Sequence, residues 1–328
     1  MLIWAVFYQL AALAPALVAI GILIRGVRVA ELASAQPRLL PTDTHAVAVH
    51  LRSARWAAAV LCGVALVLIA LTWGYIFGPW RLWMYLVPVF SAALFLAARA
   101  VVRTLPSAYS RARSQVDPTE HRASDQPRRT LWSFGRRWWV TAWLVAVALL
   151  VVTAVSMGWV SSPDDNGNYT LLTIGLGAAS ASQDFLGWHY VLPLLAGVAA
   201  LAAFTLVALG GIARSPFPLA PETLALDLWR RRVATRAVLA LSTGAVIFTL
   251  GQLWDHVGSA ALLHGSAPSD AGLIEVGTPF AALATPLWVL GYLAQGLGMA
   301  LVLLPLFARA PKMASQQPAE DAPPLLHG

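Results

Sequence analysis

Among the stretches of this chain where imidazole stands near carboxylate are two of interest: His189 follows Asp164, Asp165 and Asp184, and Asp255, His256 and His264 precede Asp270 and Glu275. Such groups bind a divalent metal or move protons when they converge. His189, His256 and Asp255 are therefore the candidate metal ligands, and with them the chain would be an outer-face metal-binding protein or metalloenzyme. The spacing speaks against it. There is no HExxH and no His-x-His. Asp255 and His256 also follow Trp254 directly, as residues capping a helix at the edge of a membrane would. Other chemistry is scarcer still. GxSxG, CxxC and a phosphate-binding glycine loop with its lysine are absent, the one lysine being Lys312. Cys62 stands alone and makes neither an internal disulfide nor a cysteine-based zinc cluster. No catalytic and no cofactor-binding residue is assigned, and the chain reads as non-catalytic.

The elements that would position these residues are membrane helices. The chain is 59% hydrophobic and 11% charged, against about 25% charged in soluble proteins. The expected class is all-α, a polytopic transmembrane bundle. Seven windows reach the ~20 residues a crossing needs: 3–24, 56–75, 82–102, 138–160, 187–210, 234–254 and 282–307. Helix is the expected state, because unpaired backbone groups in lipid cost several kcal/mol and the alternation of barrel strands is missing. The lack of a lysine in any window excludes a retinal Schiff base.

Charge sets the orientation. The first window has no basic residue before it, and Arg25 and Arg28 come after it, as in a retained helix rather than a cleaved signal peptide. Placing 25–55, 99–137, 211–236 and the tail from 309 on one side collects 21 of the 22 basic residues, leaving Arg81 opposite. That side carries a net charge of +12 and the other −5. The positive-inside rule then puts the N-terminus outside and the C-terminus in the cytoplasm of an inner (plasma) membrane. The basic face meets anionic lipid. No nucleic-acid motif accompanies the arginines, so nucleic acid is not the expected partner.

An offset of 95 residues relates two parts of the chain: "RRWW" from Arg136 aligns with "RRVA" from Arg231, Trp159 with Trp254, and "ARSP" with "ARAP". This reads as a duplication. The expected architecture is one lone helix plus three hairpins, parallel repeats about an axis near the membrane normal. Its units are a first helix (1–24), a basic loop with an interfacial helix (25–55), a short hairpin (56–102), a flexible basic loop (103–137), repeat hairpin A (138–216), an interfacial helix (217–233), repeat hairpin B (234–311) and a disordered tail (312–328).

At hydrocarbon depth no ionisable residue is expected, which disfavours a proton- or ion-coupled carrier. Gln9, Gln252 and Gln295 remain as polar groups that pack helices or line a channel. Pro15, Pro88, Pro193 and Pro286 fall one to each descending helix and are candidate hinges. On the inner side Trp229, Arg230, Arg231 and Arg232 are candidate contacts to lipid or to a protein partner.

The run "LALDLWRRRVATRAVLAL", an acidic residue and a triple arginine opening an Ala-rich helix, resembles uncharacterised polytopic integral membrane proteins of actinobacteria, as does the basic stretch after the third helix. The resemblance covers residues 90–260 in pattern. It implies a setting beside transport or regulatory functions and carries no catalytic motif. The expected function is a non-catalytic membrane subunit or accessory protein of a transport or efflux (ABC-type) complex. The alternatives are the metal protein above and an uncoupled small-molecule channel or facilitator.

Overall fold

A computed structural model describes residues 79–104, 137–176, 179–214, 221–269 and 272–307. The windows 3–24 and 56–75, the loop 25–55, nearly all of 103–137 and the tail 312–328 lie outside the described residues, and with them Gln9, Pro15, Cys62 and Asp270.

A 3-10 helix, Pro79–Leu86, runs into α1 (Val87–Thr104). Then come α2 (Arg137–Val160), strands β1 (Ser162–Pro163), β2 (Tyr169–Leu176) and β3 (Ala179–Asp184), and α3 (Trp188–Arg214). The chain continues with α4 (Pro221–Ala261), β4 (His264–Ser269), β5 (Gly272–Gly277), a short 3-10 turn, α5 (Ala284–Leu303) and a closing 3-10 turn, Leu304–Phe307. Five spans are long and apolar enough to cross a membrane: Leu82–Ala100, Arg137–Val160, Trp188–Arg214, Asp227–Ala261 and Ala281–Leu303. By length and composition they suggest a multi-pass membrane protein. In α2 the hydroxyls of Thr141 and Ser156 donate to the carbonyls of Arg137 and Val152, four residues back, which spares them an unsatisfied donor on an apolar surface.

α4 is the core element. Its span is 72% buried, whereas those of α2 and α5 are 28% buried, because α1, α2, α3 and α5 all pack on it. Val238, Leu239, Val246, Leu250 and Leu253 fill the centre with Leu150 of α2 and Leu201 and Leu209 of α3. One polar node pins three helices there. Trp143 Nε1 donates to Ser242 Oγ at 2.9 Å, and Thr205 Oγ1 lies 3.0 Å from Ser242 Oγ and 2.7 Å from the Leu201 carbonyl. Each hydroxyl can thus give its single proton to an acceptor.

Small residues join α4 to α5. Gly244, Gly251 and Gly258 recur every seven residues, and so do Ala284, Gly291 and Gly298 on the antiparallel α5. A Cβ on Gly251 would stand 2.6 Å from the Gln295 nitrogen and the Gly291 oxygen, and one on Gly298 would stand 2.5 Å from the Phe248 nitrogen. Backbone touches backbone, which is how membrane helices gain van der Waals contact when lipid is as apolar as they are.

The segment after α2 and the segment after α4, expected as solvated loops, each fold as an antiparallel hairpin. β1, β2 and β3 form one sheet in that order, with Leu172 paired to Gln183 and Ile174 to Ala181. β4 and β5 form the other, His264 opposite Gly277. The two sheets meet where Gly265 lies against Leu176 and Ala181. Ser161 and Thr278 return their hydroxyls to the carbonyls of Gly158 and Ala261, closing the ends of α2 and α4.

Two expectations differ from what is seen. Residues 217–233 were expected to hold an interfacial helix apart from repeat hairpin B; instead 221–261 is one helix of 41 residues, about 61 Å long at 1.5 Å per residue. Nothing breaks it, since no Gly or Pro lies between Glu222 and Thr243. Pro88 and Pro286, expected as hinges, stand in the first turns of α1 and α5, where the chain changes from 3-10 to α. Pro193 is the one candidate beyond the first turn of a described helix.

Candidate functional site

At the hairpin end of the bundle the Pro79–Leu86 helix inserts two aromatic rings. The Tyr85 ring lies 5.4 Å from that of His256, tilted against it by 56°; His256 is buried in α4 and is also met by Phe185 at 5.6 Å. Trp83 meets His189 at 5.9 Å and Tyr190 at 5.5 Å, edge to face. His189 is exposed at the second residue of α3. The chain reaches this cluster from β3 through Phe185, Leu186 and Gly187. Gly187 is required because a Cβ there would collide with the Tyr169 carbonyl and the Ser161 side chain.

The pair Asp255 and His256 diverges. Successive residues of a helix point about 100° apart, so His256 faces the aromatic rings while Asp255 faces α5. There its backbone lies against Gly291. Gln252, one turn earlier, buries an Oε1 with no hydrogen-bond partner, and Gln295 packs its stem on Gly251. Gln295 thus belongs to the α4–α5 seam, whereas Gln252 lies one turn before His256 on the side of α4 that His256 occupies.

Among the described residues no group of three or more His, Cys, Asp or Glu comes together in a way that could hold a metal ion. His189, His256 and Asp255 are not joined into one ligand set. His264 is exposed with Nδ1 2.9 Å from the Leu262 carbonyl, and Asp165, Asp184 and Glu275 are exposed on turns and strands. Asp164 has a structural task. Its Oδ1 accepts from the amides of Asn166 and Asn168 at 2.9 and 2.8 Å, and its Oδ2 accepts from the Thr170 hydroxyl at 3.1 Å. Desolvation pushes this carboxyl up, but the donors, Asn168 foremost, outweigh it and hold it below the usual range. Gly167, at φ +80°, completes the turn in a conformation that side chains rarely adopt.

The opposite end is basic. Expected as a block, the triple arginine divides its work. Arg231 is buried: its Nε donates to Asp227 Oδ2 at 2.6 Å, and its Nη1 donates to the Ile212 carbonyl near the end of α3 at 2.9 Å. It is a staple between α3 and α4, and as a lipid or partner contact it is corrected. Trp229 and Arg230 are half-buried and Arg232 is exposed.

Sequence reading overlooked Trp83, Tyr85 and Phe185, and it overlooked Asp227 as the mate of Arg231. The i,i+4 spacing of Asp227 and Arg231 was the available signal. The arrangement offers aromatic packing, buried hydrogen bonds and a cationic end; it gathers no nucleophile with its base among the described residues. The chain matches no family model, and neither a curated protein nor a solved structure is significantly similar to it.

Proposed function

We propose that the chain is a non-catalytic integral membrane subunit of seven helices, N-terminus out and C-terminus in, that serves a transport assembly of the ABC type as an accessory protein. The observation that carries this reading is α4. At about 61 Å it is twice the ~30 Å of the hydrocarbon core, so it must project beyond the membrane. Its arginine-bearing end is fixed in direction by Arg231 on Ile212. A rigid cationic projection continuous with the core of the bundle suits a subunit that docks a cytoplasmic protein. The transport class of that partner rests on the sequence pattern alone.

The duplication belongs to the same proposal. β2 begins at Tyr169 and β4 at His264, and α3 begins at Trp188 and α5 at Ala284, offsets of 95 and 96 residues. Two hairpins in register with the sequence offset support a parallel repeat. Affinity purification from native cells in mild detergent, with the chain at native expression, tests the proposal. A stoichiometric membrane or ATP-hydrolysing partner is expected. Recovery of this chain alone would overturn it.

A further inference from the structure

The eight residues Pro79–Leu86 keep 3-10 geometry, in which runs beyond about four residues are uncommon because the hydrogen bonds are poorly aligned. Pro88 accounts for it. In an α-helix its ring would crowd the carbonyl four residues back, that of Met84. Pro88 does not bend a helix here; it decides which helix forms ahead of it. Leu82 and Leu86 are buried and press the segment onto the bundle, while Trp83 and Tyr85 bring their rings to His189, Tyr190 and His256. On α4, Thr249, Gln252 and His256 recur at i, i+3 and i+7 and share the side that Tyr85 meets. Thr249 is fully buried, and neither its hydroxyl nor the Gln252 Oε1 makes a hydrogen bond. Groups so placed have given up hydration without a protein partner in exchange, which disfavours the closed arrangement.

We propose that Pro79–Leu86 is a lid: in its 3-10 form it closes the hairpin end over the polar side of α4, and in an α form it uncovers that side and lets water reach Gln252 and then Thr249. An α-helix turns about 100° per residue where a 3-10 helix turns about 120°. Counted back from Val87, Tyr85 then rotates by about 40° and Trp83 by about 80°. That ends ring contacts made at 5.4 and 5.9 Å. Pro88 biases the pair of forms toward closure, and the bare polar atoms beneath bias it toward opening. The lid stands apart from the subunit reading and requires no protein partner.

The test uses the full chain in a neutral mild detergent, with Cys62→Ala and Gln252→Cys, so that a single thiol reports. Its modification by an anionic, water-soluble methanethiosulfonate is followed in time by mass spectrometry. Labelling should be slow, and P88A, which leaves both rings in place, should quicken it about tenfold. P286A, the same change in the first turn of α5, should leave the rate within twofold. Thr249→Cys in place of Gln252→Cys, one turn deeper, should label more slowly and respond to P88A in the same direction. A rate that P88A does not change would overturn the lid. So would equal responses to P88A and P286A, or no labelling at either position in any variant. The chain with its own Gln252 and Thr249 supplies a second readout that no cysteine variant can spoil: carbethoxylation of buried His256 by diethyl pyrocarbonate should rise about tenfold with P88A, while that of exposed His264 stays constant. A parallel rise at both histidines would mean general loosening and would overturn the lid as well.

Discussion

Replacing Gly251 by alanine adds one methyl group at the middle level of the α4–α5 seam. Its Cβ would lie 2.6 Å from two backbone atoms of α5, the Gln295 nitrogen and the Gly291 oxygen, where ordinary contact begins at 3.4 Å. Neither atom can swing away, so the helices must part by about 0.8 Å. A gap of that size forfeits a quarter to a half of each van der Waals well, and it spreads to the neighbouring levels at Gly244 with Gly298 and at Gly258 with Ala284. Overpacking of this kind costs about 1–3 kcal/mol; with three levels affected, about 2–3 kcal/mol is expected. The assay is reversible unfolding in mixed micelles followed by tryptophan emission. Gly175→Ala is the control, because a Cβ there meets nothing within 4 Å, and it should change stability by less than about 0.5 kcal/mol. If Gly251→Ala behaved like Gly175→Ala, the close backbone approach would be wrong.

Three further outcomes follow from the polar contacts. Arg231→Met should destabilise by about 2–3 kcal/mol, because Asp227 and the Ile212 carbonyl lose their donor, and adding Asp227→Leu should recover much of that; thermal unfolding of the single and double variants decides. Ser242→Ala should cost about 1–2 kcal/mol in the same assay by stranding Trp143 Nε1, whereas Trp143→Phe with Ser242→Ala should cost little more than either alone. Asp164 has its folded carboxyl depressed, so its support of the turn is fully present above the ordinary carboxylate range and fades as pH falls through the folded value. Hydrogen exchange at Asn166 and Asn168 should therefore show protection, relative to Asp164→Ala, that disappears on acidification; equal protection in both proteins at neutral pH would refute it.

Helix positions were legible because burying backbone in lipid demands long apolar runs, and those runs survive in composition. The windows 138–160 and 282–307 lie within a few residues of the spans Arg137–Val160 and Ala281–Leu303. The hairpins were not legible. Leu172 and Ile174 alternate with Thr173 as a half-buried strand requires, but "ASASQD" has no strand character of its own and pairs because β2 lies beside it. The candidate ligands failed for a related reason. Adjacency along the chain placed Asp255 beside His256, while helical geometry sent one to α5 and the other to Tyr85 and Phe185. The heptads of Gly244 and Gly291 were visible as spacing, but their meaning depends on which helices lie antiparallel, which spacing within one helix does not state.

α4 is wrapped by α1, α2, α3 and α5 at once, although the 95-residue offset would assign it, with α5, to one half alone. A rocker that opens by swinging one half against the other needs a cleavage plane, and a plane between these halves cuts through the Trp143–Ser242 bond and the Arg231–Ile212 contact. Among the described residues, opening of that kind therefore begins with the breaking of polar contacts that tie α4 to α2 and α3.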